Sequence, residues 1–543
     1  MRARHFDPVV FQPQARQGMQ RGINQFVDAV RPTLGPRPRI VAIAPIHPPN
    51  DPPELLDTGG LIARRLHELP DRDADVGAMF VRHVLWRVHK RVADGTATAA
   101  VMLQSVFNEG ARYLVAGGDP VALRHHLGVG MEIIYRRLAE MARPIEVEEG
   151  LAQLAESICQ DAALGAMLGE IFDIIGEYGQ LDVRAGRGRR LEREYVEGMY
   201  WERGVVSRGM ITDHSKLRVE IHNPAIVISD VSVDDPHELV PVLVQARKEG
   251  YQGLLLVAQD ISRQATSLLL SASQNPDAFR AIAVKTPGRT GAQRAETMTD
   301  LAALTGGRPV VEGAGDRLKK IKPEHLGRAR RVWADYNYFG VMGGGGDARE
   351  LRSHIRRLRA AFHNAADEES QGRLQKRIGK LMGGSATLWI GGATASEIET
   401  GKHKAERTGD VLRVALREGV LPGGGVALLN CRSEMREQLG KSGSVDERAA
   451  YRILSKALEE PTRTLLANAG YEAAEVMAQI NLAGPGMGFD VRSERVVDMT
   501  DAGVWDAAAV LRTAVRSAIG GAALALTTDV MIHRQGREQV MEP

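Results

Sequence analysis

The sequence predicts a multidomain chain of the α and α/β type, with an α/β unit inserted into a mostly helical domain that both chain ends build. Three observations predict this. The chain has 543 residues, too many for a single hydrophobic core. Both ends carry apolar residues at helical spacing. The middle, from about residue 198, alternates short β-rich runs with helical segments, the pattern of strands covered by helices.

The elements follow in order. Residues 14–30 are amphipathic and stop at Pro32. Residues 99–116 carry Ala99, Met102, Leu103, Val106 and Leu114 near helical spacing. Gly117-Gly118 ends that helix, and Asp119-Pro120 starts the next as cap and first-turn proline. Pro144 interrupts the pattern and reads as a hinge. Residues 151–178 are again helical. Strands are expected at 225–229, 254–258 and 281–285, with a helix over 237–248 among them. Gly343 to Gly346 read as a flexible connection. Residues 347–381 are rich in Arg and Glu and read as a solvated helical pair. After Gly383-Gly384 helices return, ending with 506–531. There Leu511, Ala514, Val515, Ala518, Ile519 and Ala522 share one face. No internal repeat stands out.

Composition narrows the function classes. A net charge of +2 argues against a protein that coats nucleic acid. Only Cys159 and Cys431 occur, which excludes a disulfide framework and fits a reducing, cytoplasmic setting. The N-terminus lacks a signal-peptide pattern, and no run of about 20 uninterrupted apolar residues indicates a membrane span.

Asp94-Gly95-Thr96-Ala97-Thr98 is the strongest local signal. An acidic residue, a glycine and hydroxyls at a helix start suit a metal-bound phosphate. An ordinary turn and cap is the alternative. Gly423-Gly424-Gly425 precedes an apolar helical run and admits either close backbone approach to a nucleotide or close helix packing. Asp506, before Ala507, reads on its own as an N-cap. Leu439-Gly440-Lys441-Ser442 is not a P-loop, because Met435 stands where the pattern needs glycine. Gly484 to Gly488 lacks the strand of a dinucleotide fingerprint. No zinc-site spacing is present. The basic runs 184–190 and 317–322 read as solvated surface.

Together these motifs resemble the group I chaperonins, the bacterial and organellar ring-forming folding machines. Thr33-Leu34-Gly35-Pro36 is similar to the family's TLGP loop, and Asp94 to Thr98 to its DGTTT. Glu418-Gly419-Val420 with Pro422 to Leu428 resembles EGVVAGGGVAL. Gly391 to Thr394 resembles the family's GAAT strand end, and Asp501 to Asp506 resembles DMGILD. The resemblance implies an equatorial ATP-binding domain (1–140 and 418–543), an intermediate domain (141–197 and 385–417) and an apical polypeptide-binding domain (198–384). Pro144 with Gly419, and Gly198 with Gly383-Gly384, would be the hinges. It implies Mg2+ and ATP as cofactors, with Asp94 on the metal and Gly95, Thr96 and Thr98 at the phosphates. Thr33, Gly35 and Gly424 would line the nucleotide, and Asp506 would hold the ribose. Implied partners are non-native polypeptides, a lid co-chaperonin, and further copies or a paralogue in a ring. Nucleic acid and membrane are not among them.

The chain departs from that pattern at several places. Ala97 replaces a threonine, and Asp490-Val491 stands for an asparagine-alanine at the base. Of two hydrolytic carboxylates, one aligns without a gap on Thr58, with Asp57 one residue early; a one-residue insertion restores Asp57. The other falls on Arg407, with Asp410 three residues on, about 4.5 Å along the helix and about 60° around it. A cation there cannot accept a proton. Nucleotide binding retained and hydrolysis slowed is the expectation, with Asp57 and Asp410 as the candidate catalytic carboxylates. In the polypeptide groove, Gly209 and Met210 stand in place of two aromatics, Arg208 is added, and Val240, Leu243, Thr266, Leu270 and Ser271 map onto the groove helices. The family's Gly/Met-repeat tail has no counterpart before Glu542-Pro543.

Overall fold

The computed structural model describes residues 9–36, 39–44, 53–145, 149–177, 179–186, 188–197, 199–213, 217–273, 279–382 and 384–533. Gly198, Gly383 and the stretch through Glu542-Pro543 lie outside them. The chain divides into two compact units, Met1–Asp173 with Glu399–Pro543, and Ile174–Ile398.

The first unit opens with α1 (Gln14–Val30), whose buried Met19, Ile23, Phe26, Val27 and Val30 recur at helical spacing. After the short α2 (Gly59–Arg65), Asp71 caps α3 (Arg72–Val92) by accepting from the amides of Asp73 and Ala74. α1 and α3 approach so closely that a Cβ at Gly22 or Gly77 would strike the opposing backbone. α4 (Thr96–Val115) and α5 (Pro120–Met141) follow, and Asp119 caps α5 ahead of its first-turn proline. The run expected over 151–178 is two helices, α6 (Glu149–Cys159) and α7 (Ala162–Ile175). The break falls at Gln160, whose φ of +55° no right-handed helix accommodates.

In the second unit, strands Pro224–Ile228, Gly253–Ala258 and Arg280–Lys285 run parallel. α8 (Val240–Lys248) and α9 (Arg263–Ala272) connect them. The strands are continuous apolar runs because a parallel sheet is covered on both faces. Gly327–Ala334 and Phe339–Gly344 extend the sheet antiparallel, and Met199–Trp201 closes it. α10 (Gly291–Thr305) packs beneath. Gly343 to Gly346 are not a flexible connection. The first two end a strand, and the amides of Gly345 and Gly346 donate to the Arg328 and Leu304 carbonyls.

α11 (Ala348–Asn364) and α12 (Glu368–Met382) are the expected charged pair, but one face is pinned rather than solvated. Buried Asp300 of α10 accepts from Arg377 Nε and Nη2 at 2.8 Å and lies 2.7 Å from His354 Nε2. After α12 the chain forms a strand, Gly384–Ile390, before any helix. It pairs with Gln180–Ala185 in parallel and Glu192–Glu197 antiparallel. Ala386, Leu388 and Ile390 alternate inward.

The chain then runs through α13 (Ala395–Glu418), α14 (Val426–Asn430), α15 (Arg432–Lys441), α16 (Val445–Ala457), α17 (Glu460–Asn468), α18 (Ala473–Ala483) and α19 (Ala508–Leu526). Arg143 and Val420 exchange two backbone hydrogen bonds of 3.0 and 2.8 Å. Gly419 beside them has φ +82° and abuts the Arg143 carbonyl, so no larger residue fits. α19 is long and apolar enough to cross a membrane by length and composition, yet most of it is buried, and it packs against α3, α4 and α5. All six residues expected on its inward face are buried, together with others at both ends of the helix, among them Ala508 and Leu526.

Candidate nucleotide-binding site

The site lies within the first unit. Ala93 ends α3 in the left-handed region, and Gly95 (φ +76°) opens α4. A Cβ on Gly95 would strike Val510 of α19. No side chain caps the first turn of α4, which leaves its positive end directed at the cavity beside it. Among the described residues the Asp94 carboxylate has no hydrogen bond or ion pair. The ordinary capped turn is therefore not what these residues form.

Three further segments meet there. Thr33 and Gly35 (φ +114°) follow α1, with the Thr33 hydroxyl donating to the Val30 carbonyl at 2.8 Å. Gly424 (φ +66°) and Gly425 (φ +80°) form the bend before α14. Both readings of this glycine cluster hold at once: Gly424 lines the cavity, while Gly425 packs on Thr462 of α17. Asp506 comes from the strand Trp505–Ala507, paired with Val420–Pro422. It is not the cap of α19; Ala507 holds that position. Its carboxyl faces the cavity. Desolvation, with the Asp94 charge adding to it, pushes its pKa up to about 7.

These segments enclose a cavity of about 530 Å³, of the size that holds a small-molecule ligand. Thr33, Gly35, Asp94, Gly95, Thr96 and Thr98 all line it. So do Gly424, Asp506, Asp57 and Thr58. Thr58 takes the cap position of α2, accepting from the Leu61 amide at 3.4 Å. Asp57 stands one residue earlier on the wall and has no side-chain partner among the described residues.

Arg407 of α13 also lines the cavity. Its Nη2 donates to the Ile158 carbonyl at 2.8 Å, and its buried Nε has no partner among the described residues. Burial, and then the Arg407 charge, push the nearby His89 imidazole toward its neutral form. Asp410 corrects an expectation. It is 58% exposed, its carboxylate accepts from Arg413 at 2.7 Å, and it is not in the cavity lining. Three residues along α13 turn it away from the wall that Arg407 occupies. Asp490 and Val491 line the cavity, but the Asp490 carboxylate is engaged by the amides of Arg492 and Ser493 in its own turn.

The donors fit magnesium. They are hard oxygens, the unpaired Asp94 carboxylate with hydroxyls on the adjacent turn. Mg2+ is typically held by one or two carboxylates, substrate phosphates and waters. No cluster of three or more metal-binding side chains occurs among the described residues.

Several lining residues carry no sequence signal as a group: Lys404, one turn before Arg407, and Pro461 and Leu465 of α17. Gln160, the helix-breaking residue, donates from Nε2 to the Gly35 carbonyl at 3.2 Å.

In the second unit, Val240 and Val244 of α8 are exposed while Leu243 is buried. Thr266 and Leu270 are partly buried and Ser271 is exposed. Met210 is buried at 3% exposure, so it does not replace a groove aromatic. Gly209 abuts Leu270, and the Arg208 guanidinium lies 5.6 Å from the Tyr336 ring centre. The apolar surface of α8 thus rests on Val240 and the unanticipated Val244.

Residues 26–535 match the family model described as the TCP-1/cpn60 chaperonin family. Among solved structures, the chaperonin gp146 from the Pseudomonas aeruginosa bacteriophage EL is similar at 18% identity. In one crystal form the TM-score is 0.72, covering 98% of this chain and 100% of that one. In a second form the TM-score is 0.63, covering 97% and 99%. At this identity the likeness is one of fold, and it extends over both units. The family match spans nearly every residue that carries the motifs above, from the loop after α1 to the end of α19. This chain belongs to the TCP-1/cpn60 chaperonin family, as a divergent member.

Proposed function

We propose that the protein binds Mg-ATP in the cavity of the first unit and works as a ring-forming chaperonin on non-native polypeptides, with hydrolysis slowed. Asp94 would hold the magnesium, the first turn of α4 with Thr96 and Thr98 the phosphates, and Asp506 the ribose. The neighbour gp146 was crystallised in the presence of ATP-BeFx, which supports a nucleotide at this site. The three-domain division, with hinges at Pro144 and Gly419, is part of the same reading, and the Arg143–Val420 crossing supports a hinge there.

The observation that carries the slowed hydrolysis is Arg407. A carboxylate that orients or deprotonates the attacking water contributes roughly 10²–10⁴-fold, about 3–5.5 kcal/mol of barrier. A guanidinium with an unpartnered Nε on the cavity wall supplies no base; it suits a γ-phosphate oxygen instead. Asp57, on the cavity wall and without a side-chain partner among the described residues, remains as the candidate base. The same arginine favours a second reading, an ATPase-deficient scaffold subunit or the partner of an active paralogue in a mixed ring.

Phosphate release measured beside calorimetric ATP binding separates the two. Slow turnover abolished by Asp94→Ala supports the folding machine. Tight binding without turnover supports the scaffold. Arg407→Asp should raise the rate at least tenfold, within the range a general base provides; an unchanged rate counts against the Arg407 assignment. No heat with Mg-ATP would sink both readings.

A further inference from the structure

Both glycine loops of the cavity are held from behind by one short helix, and no motif marks it. α17 begins at Glu460 and ends at Asn468. At its end, the single Asn468 amide nitrogen donates both of its hydrogens to the first loop, at 2.9 Å to the Arg31 carbonyl and 2.8 Å to the Leu34 carbonyl. At its start, Glu460 and Thr464 receive the Arg31 guanidinium at 3.0 and 2.6 Å. Between them, buried Thr462 donates its hydroxyl to the Gly424 carbonyl of the second loop at 3.2 Å.

Each contact fixes a backbone carbonyl or the residue that carries it. None of these side chains needs to touch a ligand; the residues of α17 that line the cavity are Pro461 and Leu465. The loops come from opposite ends of the sequence, and no hydrogen bond between them is present among the described residues. The separation across which a nucleotide would lie is therefore set by a rigid third element.

We infer that α17 is a positioning splint for the nucleotide loops, with Asn468 and Thr462 as its positioning residues. This rests on the nucleotide reading of the cavity. Its physical basis is that a clamp of fixed length keeps both loops in the binding geometry before the ligand arrives, so little ordering accompanies binding. Asn468→Asp is the sharpest probe. It keeps the shape, removes both donors, and sets a carboxylate against two carbonyl oxygens. Thr462→Val removes the hydroxyl donor to the second loop at constant shape.

The test uses the full chain, Mg-ATP and calorimetry, with urea unfolding and hydrogen exchange in the absence of nucleotide. Asn468→Asp should bind Mg-ATP roughly ten- to thirtyfold more weakly, as expected for two lost hydrogen bonds. Thr462→Val should weaken binding severalfold. Amide exchange should accelerate at Leu34 and Gly35 while the urea midpoint moves little. Ala467→Ser, exposed on the same helix, should bind like the unmodified chain. Undiminished affinity in both Asn468→Asp and Thr462→Val, with the unmodified chain binding, overturns the inference alone. So does a loss of affinity that only follows a fall in the urea midpoint. Failure of the unmodified chain to bind Mg-ATP overturns the cavity reading and this inference with it.

Discussion

Asp506 and Arg407 set the chemistry of the cavity at the scale of single residues. A carboxyl near 3.8 in the unfolded chain and about 7 in the folded one holds its proton more tightly when folded. Its contribution to stability is then fully present below about 3.8 and is lost as pH rises to about 7. Asp506→Asn should match the unmodified chain at pH 4 and exceed it at pH 8. Urea midpoints of the nucleotide-free pair across that range check the sign; a flat difference would remove the assignment. Asp94-Gly95-Thr96 was legible in the sequence because its geometry is local: one glycine, one helix start. Asp506 by itself was legible only as an acid before a helix; its environment comes from burial in the folded chain and then from Asp94, far away in sequence. Asn468 was silent, since its partners lie 437 and 434 residues distant.

Elements announced by their ends were readable. Asp119-Pro120 opens α5, and the apolar face of α19 follows a plain helical repeat. The strand Gly384–Ile390 was readable only through the resemblance of Gly391 to Thr394 to a strand end, because its inward residues Ala386, Leu388 and Ile390 give just three steps of the alternation. The polar face of α12 was misleading for a different reason. A charged helix exposes no sign of which charge will be buried, and here Arg377 meets Asp300. Removing one partner of a buried pair typically costs about 3–5 kcal/mol, because the other charge remains desolvated. Asp300→Ala should therefore unfold the second unit at markedly lower urea, leaving α11 and α12 unpinned. Fluorescence of Trp201 and Trp333, both in that unit's sheet, reports the change. An unaltered midpoint would show that the triad contributes nothing.

At the scale of the molecule, the order of motifs along the chain carried the architecture, since each of them recurs in sequence order over both ends. Assembly was not legible. Ring contacts are made between copies, and a surface residue such as Val115 or Leu482, exposed at 79% and 88%, looks the same in sequence whether water or a neighbour covers it. Native mass measurement should find a closed multiple of the 59.1 kDa chain, alone or only after mixing with a paralogue. A persistent monomer under both conditions, with and without ATP, would oppose the ring. The guanidinium on the cavity wall has one last consequence. Where cleavage is slow, the triphosphate ceases to be fuel and becomes a weight on a balance. The timing of each round would then follow how long the ligand dwells, and so the cell's ratio of charged to spent adenylate.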